Sequence, residues 1–418
     1  MPNSINHAWY AGLKQGINDM HCEVCSLRNL LVMNHFPTIF PPDTGGVLRY
    51  FHIYHQLSQC YDITLLSQKF TPKVEVIHYS DTFREFRMPV EDAHYRITEQ
   101  LKSEGTGPEF STHAALCCAL IDEPARTFLH YYHRLYPTAD IIIHDSPFLL
   151  KHDVHFGSDH KPRIYNSHNL ESEFAKHVWY GARSHDYIKL VTRLEETLVR
   201  QATLVFATSE QERDGFIKAF SSDPSKIKIA PNGIHPGAWK PRKKKRTGNA
   251  RVTAFFIGSM HQPNIEIVHF IISQLADLCG HMDFIIAGPC GDDFSHVDKK
   301  NINLLGQIDE KEKLQLFSEV NIAINPASFG TGTNIKTLEF LSAGIPLVST
   351  QVGVRGLHLV QGTHYLHAEK ENFAMTLNRI SGNKALLEKI ALHGQSYVNQ
   401  TYSWEGIAKK LKEQIDSL

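Results

Sequence analysis

The chain has 418 residues, 42% of them apolar and 21% charged, with a formal net charge of −1. That length exceeds one ordinary hydrophobic core and suits two domains of roughly 200 residues each. The near-neutral balance leaves no global field to recruit nucleic acid, and no apolar run reaches the roughly 18 to 20 residues of a membrane span.

The polar opening MPNSINHAWY lacks the charged-then-apolar order of a secretory signal, so the cytoplasm is the expected compartment. Cys22, Cys25, Cys60, Cys117, Cys118, Cys279 and Cys290 are odd in number and scattered, which reads as reduced thiols rather than a disulfide framework. Cys22 and Cys25 form a lone CxxC. The 26 histidines are dispersed, without HExxH or a zinc-finger spacing, so no metal site is expected.

In chain order, Leu30–Asn34, Asp62–Leu66, Val74–His78, Ala139–His144, Arg163–Ser167 and Thr203–Thr208 read as buried strands. Between them lie helical periods over Leu48–Leu57, Phe128–Tyr136 and a long Ser172–Arg200. Such alternation predicts a parallel sheet covered on both faces. Gly45 and Gly46 stand directly before a helix, where backbone approaches a ligand closely. His168 follows the strand RIYNS, at the carboxyl edge where doubly wound sheets bind ligands. There is no GxGxxG and no acidic residue at the end of the second strand, which argues against a nicotinamide site.

A break follows. Ile229–Arg251 is rich in proline, glycine and basic residues, with Lys240 and Arg242–Arg246 in one run, and has the composition of a linker. The segment Lys240–Arg246 is also suited to peripheral contact with an anionic membrane, at about 1 kcal/mol per basic residue near the lipid. The strand-helix grammar then restarts: Val252–Gly258, Asp283–Gly288, Asn303–Gly306, Asn321–Asn325 and Ile345–Thr350. The expected architecture is α/β, with two Rossmann-like domains in series: residues 1–235, a basic linker 236–251, and residues 252–401.

The densest stretch is PASFGTGTNIKTLEFLSAGIPLVST, which joins a buried strand, a glycine-threonine turn and an amphipathic helix. Unpaired N–H groups and the dipole at such a helix start attract phosphate. Lys336 adds a full charge there, and Glu339 shares its helical face, placed to accept from ribose or sugar hydroxyls. A plainer reading makes Thr331 or Thr333 a helix cap and Lys336–Glu339 an exposed ion pair of little value. Gly344 and Pro346 close the helix and send the chain into the next strand.

The order FPPDTGGVLR, NSHNLESEF, PNGIHPGAW, FIGSMHQPN and GTGTNIKTLEFLSAGIPLVST resembles the retaining glycosyltransferases of family 4, which have the GT-B fold. The resemblance runs from Leu30 to the last helix. It implies two facing domains, with residues 402–418 crossing back to pack on the first. It implies a nucleoside-diphosphate sugar, UDP- or GDP-linked, as donor substrate, a glycan, lipid-linked or protein acceptor, and neither cofactor nor metal. Carried over by position, Glu339 holds the ribose and Thr333, Asn334, Ile335 and Lys336 surround the diphosphate. His168 faces the donor sugar, and Gly45 and Gly46 lie beside the phosphates and acceptor. Gly258, Ser259, Thr331 and Gly332 complete the implied donor site, with His168 and Lys336 as the catalytic pair.

Two departures stand out. Many members carry glutamates eight positions apart, and the first falls here on Thr331. The Arg and Lys that often follow the first strand of the second domain are replaced around Ser259, Met260 and Asn264. These departures keep a second class open, a non-catalytic GT-B subunit that stabilises or targets a partner transferase.

Overall fold

A computed structural model describes residues 27–38, 45–107, 109–239, 251–329 and 333–418. The expectations for Cys22, Cys25, Thr331, Gly332 and Lys240–Arg246 lie outside the described residues.

The first domain is built on β1 (Asn29–Asn34), β2 (Asp62–Lys69), β3 (Glu75–Ser80), β4 (Phe83–Pro89), β5 (Ile141–His144), β6 (Arg163–Asn166), β7 (Leu204–Ala207) and β8 (Ile227–Ile229). Their order in the sheet is β3-β4-β2-β1-β5-β6-β7-β8. Around them lie α1 (Gly45–Leu57), α2 (Asp92–Ser103), α3 (Glu109–Leu120), α4 (Arg126–Leu135), α5 (Glu171–Val178), α6 (Ser184–Gln201) and α7 (Glu210–Phe220). The central strands β5, β6 and β7 are buried at every residue, as continuous apolar runs covered on both faces require.

Two expectations need correction. Val74–His78 falls largely within β3, an edge strand that alternates half-buried and exposed residues and pairs antiparallel with β4. The sequence of β4, FREFRMP, hides a strand because charged residues interrupt its apolar run. The long helix over Ser172–Arg200 is two helices, α5 and α6, broken where Trp179 turns extended and Gly181 takes φ 108°, a value no helix admits.

The second sheet contains β9 (Val252–Ile257), β10 (Met282–Ala287), β11 (Ile302–Leu304), β12 (Ile322–Asn325), β13 (Leu347–Ser349) and β14 (Leu366–His367), ordered β11-β10-β9-β12-β13-β14. All its pairings are parallel. Its helices are α8 (Gln262–Phe270), α9 (Glu310–Glu319), α10 (Ile335–Ser342), α11 (Lys370–Ile380) and α12 (Lys384–Thr401).

α13 (Trp404–Ile415) returns to the first domain. Trp404, Ile407, Leu411 and Ile415 lie in one buried cluster with Leu30, Tyr50, Phe51 and Ile141. Tyr61 Oη donates to Asp416 at 2.6 Å and Arg28 donates to the Ile415 carbonyl at 3.2 Å. Where the chain leaves the first domain it runs beside the point of return: Ile234 N–H donates to Tyr402 O, and Trp404 N–H to Ile234 O. The strand ends of both sheets therefore face one another across a two-stranded hinge. No helix among the described residues is long and apolar enough to cross a membrane.

Candidate active site

Strand order reverses beside β1 in the first sheet and between β9 and β12 in the second. Such switch points open a crevice at the carboxyl ends of the strands, where ligands bind in doubly wound sheets. By that rule the ligand site is to be sought at the segments after β1, β5 and β6 in the first sheet and after β9, β12 and β13 in the second.

On the first domain, Gly46 and His168 meet. A Cβ built on Gly46 would stand 3.9 Å from His168 Nδ1. His168 Nε2 lies 3.5 Å from Asp145 Oδ2, and its ring packs edge-on against Phe36. Asp145 is fully buried and accepts at Oδ1 from Tyr54 Oη and, at 2.8 Å, from Asn166 Nδ2. Arg49, also buried, donates to Asn166 Oδ1 at 2.8 Å and to the Ala230 carbonyl at 2.7 Å. The neighbouring His35 is kept neutral, its pKa pushed down to about 3 by burial and by the proximity of His168.

On the second domain, Asn334 occupies the N-cap position of α10 without a side-chain cap bond, so Thr333 does not take the role proposed for it from sequence. Gly344 N–H donates to Leu341 O and Ile345 N–H to Phe340 O, the closing pattern expected of the helix end. Lys336 and Glu339 do not pair with each other on an exposed face. Lys336 Nζ donates to Asn264 Oδ1 at 2.7 Å and sits 4.3 Å from the Phe256 ring centroid. Burial lowers its pKa to about 8, and the Arg355 guanidinium adds to that lowering.

Glu339 Oε1 instead holds Lys313 Nζ of α9 at 2.7 Å. Burial pulls the Lys313 ammonium down, but the carboxylates of Glu339 and Glu310 more than offset it and its pKa rises. Gly258 and Ser259 form the turn after β9, closed by Asn264 Nδ2 donating to Ser259 O at 2.9 Å. Asn264 thus joins that turn to Lys336. Ile335 opens α10, and Thr333 faces the domain seam, where Asn232 Nδ2 donates to its carbonyl at 3.2 Å.

Residues 251–383 match the family described as "Glycosyl transferases group 1", and residues 117–237 the one described as "Glycosyltransferase Family 4". The chain belongs to the family-4 type of GT-B glycosyltransferases. It is 21% identical over 254 residues to an uncharacterized glycosyltransferase of Methanocaldococcus jannaschii, covering 55% of this chain and 64% of that protein. The chain thus spans about two thirds, just short, of that curated relative's length.

Among solved structures, sucrose-phosphate synthase of Thermosynechococcus elongatus superposes with a TM-score of 0.68 at 13% identity, over 93% of this chain and 98% of that one. Anabaena HepE in complex with UDP and glucose gives 0.63 at 15% identity, over 94% and 100%. At these identities the likeness concerns the GT-B fold.

Within this GT-B frame, sequence reasoning missed Asp145, Asn232, Lys313 and Arg355. Asp145 had a legible signal, an acidic residue directly after the buried run IIIH. Lys313 had none, because its pairing with Glu339 joins two helices distant in sequence.

Proposed function

We propose that the chain transfers a sugar from a nucleoside-diphosphate sugar to a glycan, lipid-linked or protein acceptor, with retention at the anomeric carbon and without a metal. The observation that carries the reading is the placement of Lys336 in the first turn of α10, at the switch point of the second sheet, where its ammonium is held by Asn264 of the turn region after β9. A departing diphosphate needs counter-charge in a dry site, and a buried ammonium beside a helix N-terminus supplies it.

In this reading Glu339 receives the ribose hydroxyls, and Thr333 and Asn334 border the diphosphate. The first turn of α1, at Gly45 and Gly46, admits phosphate and acceptor, and His168 faces the donor sugar near the reacting carbon. The HepE complex with UDP and glucose supports a UDP-linked donor; GDP is the alternative. We place the enzyme in the cytoplasm, with Lys240–Arg246 as a contact to an anionic membrane face.

One observation favours the second reading, the non-catalytic partner subunit. Lys336 and Glu339 are both engaged by internal partners, Asn264 and Lys313. Calorimetric titration with UDP, GDP, UDP-glucose and GDP-mannose separates the two. Saturable binding of one nucleotide, lost in Lys336→Ala, is expected. Silence across the panel moves the assignment to the partner subunit, and activity abolished by a chelator would overturn the metal-free mechanism.

A further inference from the structure

Asp145 is a carboxylate in a fully buried position, and its two oxygens are used differently. Oδ1 is committed to Tyr54 and Asn166. Oδ2 is buried, accepts no hydrogen bond, and lies 3.5 Å from His168 Nε2, which is itself buried and otherwise unbonded. An ionised oxygen left so in a dry interior is costly unless a donor faces it. The other imidazole nitrogen, Nδ1, points toward the first turn of α1 at Gly46. Behind the carboxylate stands Arg49, which fixes Asn166 and is itself anchored on the Ala230 carbonyl.

We propose that Asp145 is a positioning residue for His168: it holds the proton on Nε2 and turns a bare Nδ1 into the cleft beside Gly46, as an acceptor for a substrate hydroxyl. This deepens the glycosyltransfer reading, on which the identity of that hydroxyl rests. The carboxylate acts through the imidazole and touches no substrate. The groups facing the ring are Asp145 after β5, His35 and Phe36 after β1, and Gly46 of α1. His35 is held neutral and bonded to Ser146, at 2.8 Å, so Asp145 is the charge left to set the tautomer.

Asp145→Asn keeps the oxygen that Tyr54 and Asn166 need and puts an amide N–H opposite Nε2, which favours the reverse tautomer. Nitrogen-15 NMR of histidine-labelled protein, without any substrate, should show His168 with its proton on Nε2 in the wild type and on Nδ1 in the variant. Hydrolysis of UDP-glucose or GDP-mannose should fall about ten- to a hundredfold in kcat, with nucleotide affinity unchanged.

Tyr54→Phe, which leaves the charge in place, should keep the wild-type tautomer. An unchanged tautomer in Asp145→Asn overturns the proposal, and so does a kcat loss matched by an equal loss of nucleotide affinity. Wild-type protein inert toward every nucleotide sugar would overturn the glycosyltransfer reading, while the tautomer measurement would still decide the role of Asp145.

Discussion

Asn232 donates through Nδ2 to the Thr333 carbonyl at 3.2 Å, while its backbone N–H lies 3.4 Å from Thr333 Oγ1. The residue following the glycine-threonine turn is thus held by the segment on which the chain leaves the first domain. Asn232 Oδ1 in turn lies 3.5 Å from an Arg49 nitrogen. A polar path therefore runs from the α10 side of the cleft to Asn166, Asp145 and His168 on the other.

Asn232→Ala removes the side-chain arm of this seam. The expected loss is about 1–2 kcal/mol, the net value of one or two buried hydrogen bonds, together with weaker nucleotide binding as the cleft loosens. Urea denaturation and calorimetry on the same preparation check it. Wild-type midpoints and affinity would mean the seam is held elsewhere.

Burial lowers the pKa of the Lys336 ammonium to about 8. Its charge is intact below that value and lost above it, so nucleoside diphosphate binding should be strongest at pH 7 and weaken as pH rises through about 8. Lys336→Met should bind weakly and show a flat profile over this range. A wild-type affinity constant from pH 7 to 9.5 would remove the ammonium from the diphosphate site.

Lys313 and Glu339 are 17% and 14% exposed, enough burial for the pair to matter. Lys313→Met strands the carboxylate and should cost about 1–3 kcal/mol, whereas the double variant Lys313→Met with Glu339→Gln should recover part of that stability. Nucleotide affinity should fall in both, because the acceptor for ribose is misplaced in one and weakened in the other. A double-mutant cycle with no coupling would show the pair to be decorative.

Glu171 and Glu195 lie together under α5. Burial pushes the Glu195 pKa up to about 7, but the hydrogen bonds it accepts from the Glu171 and Ser172 N–H groups and from Tyr165 favour its charged form, so it ionises before Glu171. Glu171 carries the proton, its pKa pushed up to about 8 by burial and then by the Glu195 charge. The folded state holds a proton that the unfolded chain releases near its ordinary carboxyl pKa. Stability should therefore decline as pH rises from about 4.5 and level off above about 8. Glu171→Gln should lift Tm at pH 8 relative to wild type and make the curve shallower, with the part due to Glu195 remaining. Parallel curves for the two proteins would refute the shared-proton account.

Much of this fold was legible because strands buried on both faces are written as unbroken apolar runs, and IIIH, RIYN and LVFA needed no tertiary knowledge. β4 was not, since its alternating arginines and glutamate read as surface until Glu85 is seen buried among Thr38, Ser67 and Arg87. In the site, the turn-helix unit and His168 were visible as local patterns. The partners of Lys336 and Glu339 were not: Asn264 lies 72 residues and Lys313 26 residues away along the chain. No periodicity encodes such meetings, because they are products of the parallel crossovers that bring β9, β12 and their helices side by side.

The return of α13 makes the first domain a discontinuous folding unit. Its core around Leu30, Tyr50 and Ile141 has a hole shaped for Trp404 and Ile415 until those residues have been synthesised. At ribosomal speeds of about 5–20 residues per second, the amino-terminal half waits roughly ten to forty seconds for its last layer. During that interval the second domain, contiguous in sequence, can fold first. Order of emergence from the ribosome and order of completion are therefore reversed, and a nascent chain stalled before Trp404 would expose an apolar face for a chaperone to hold.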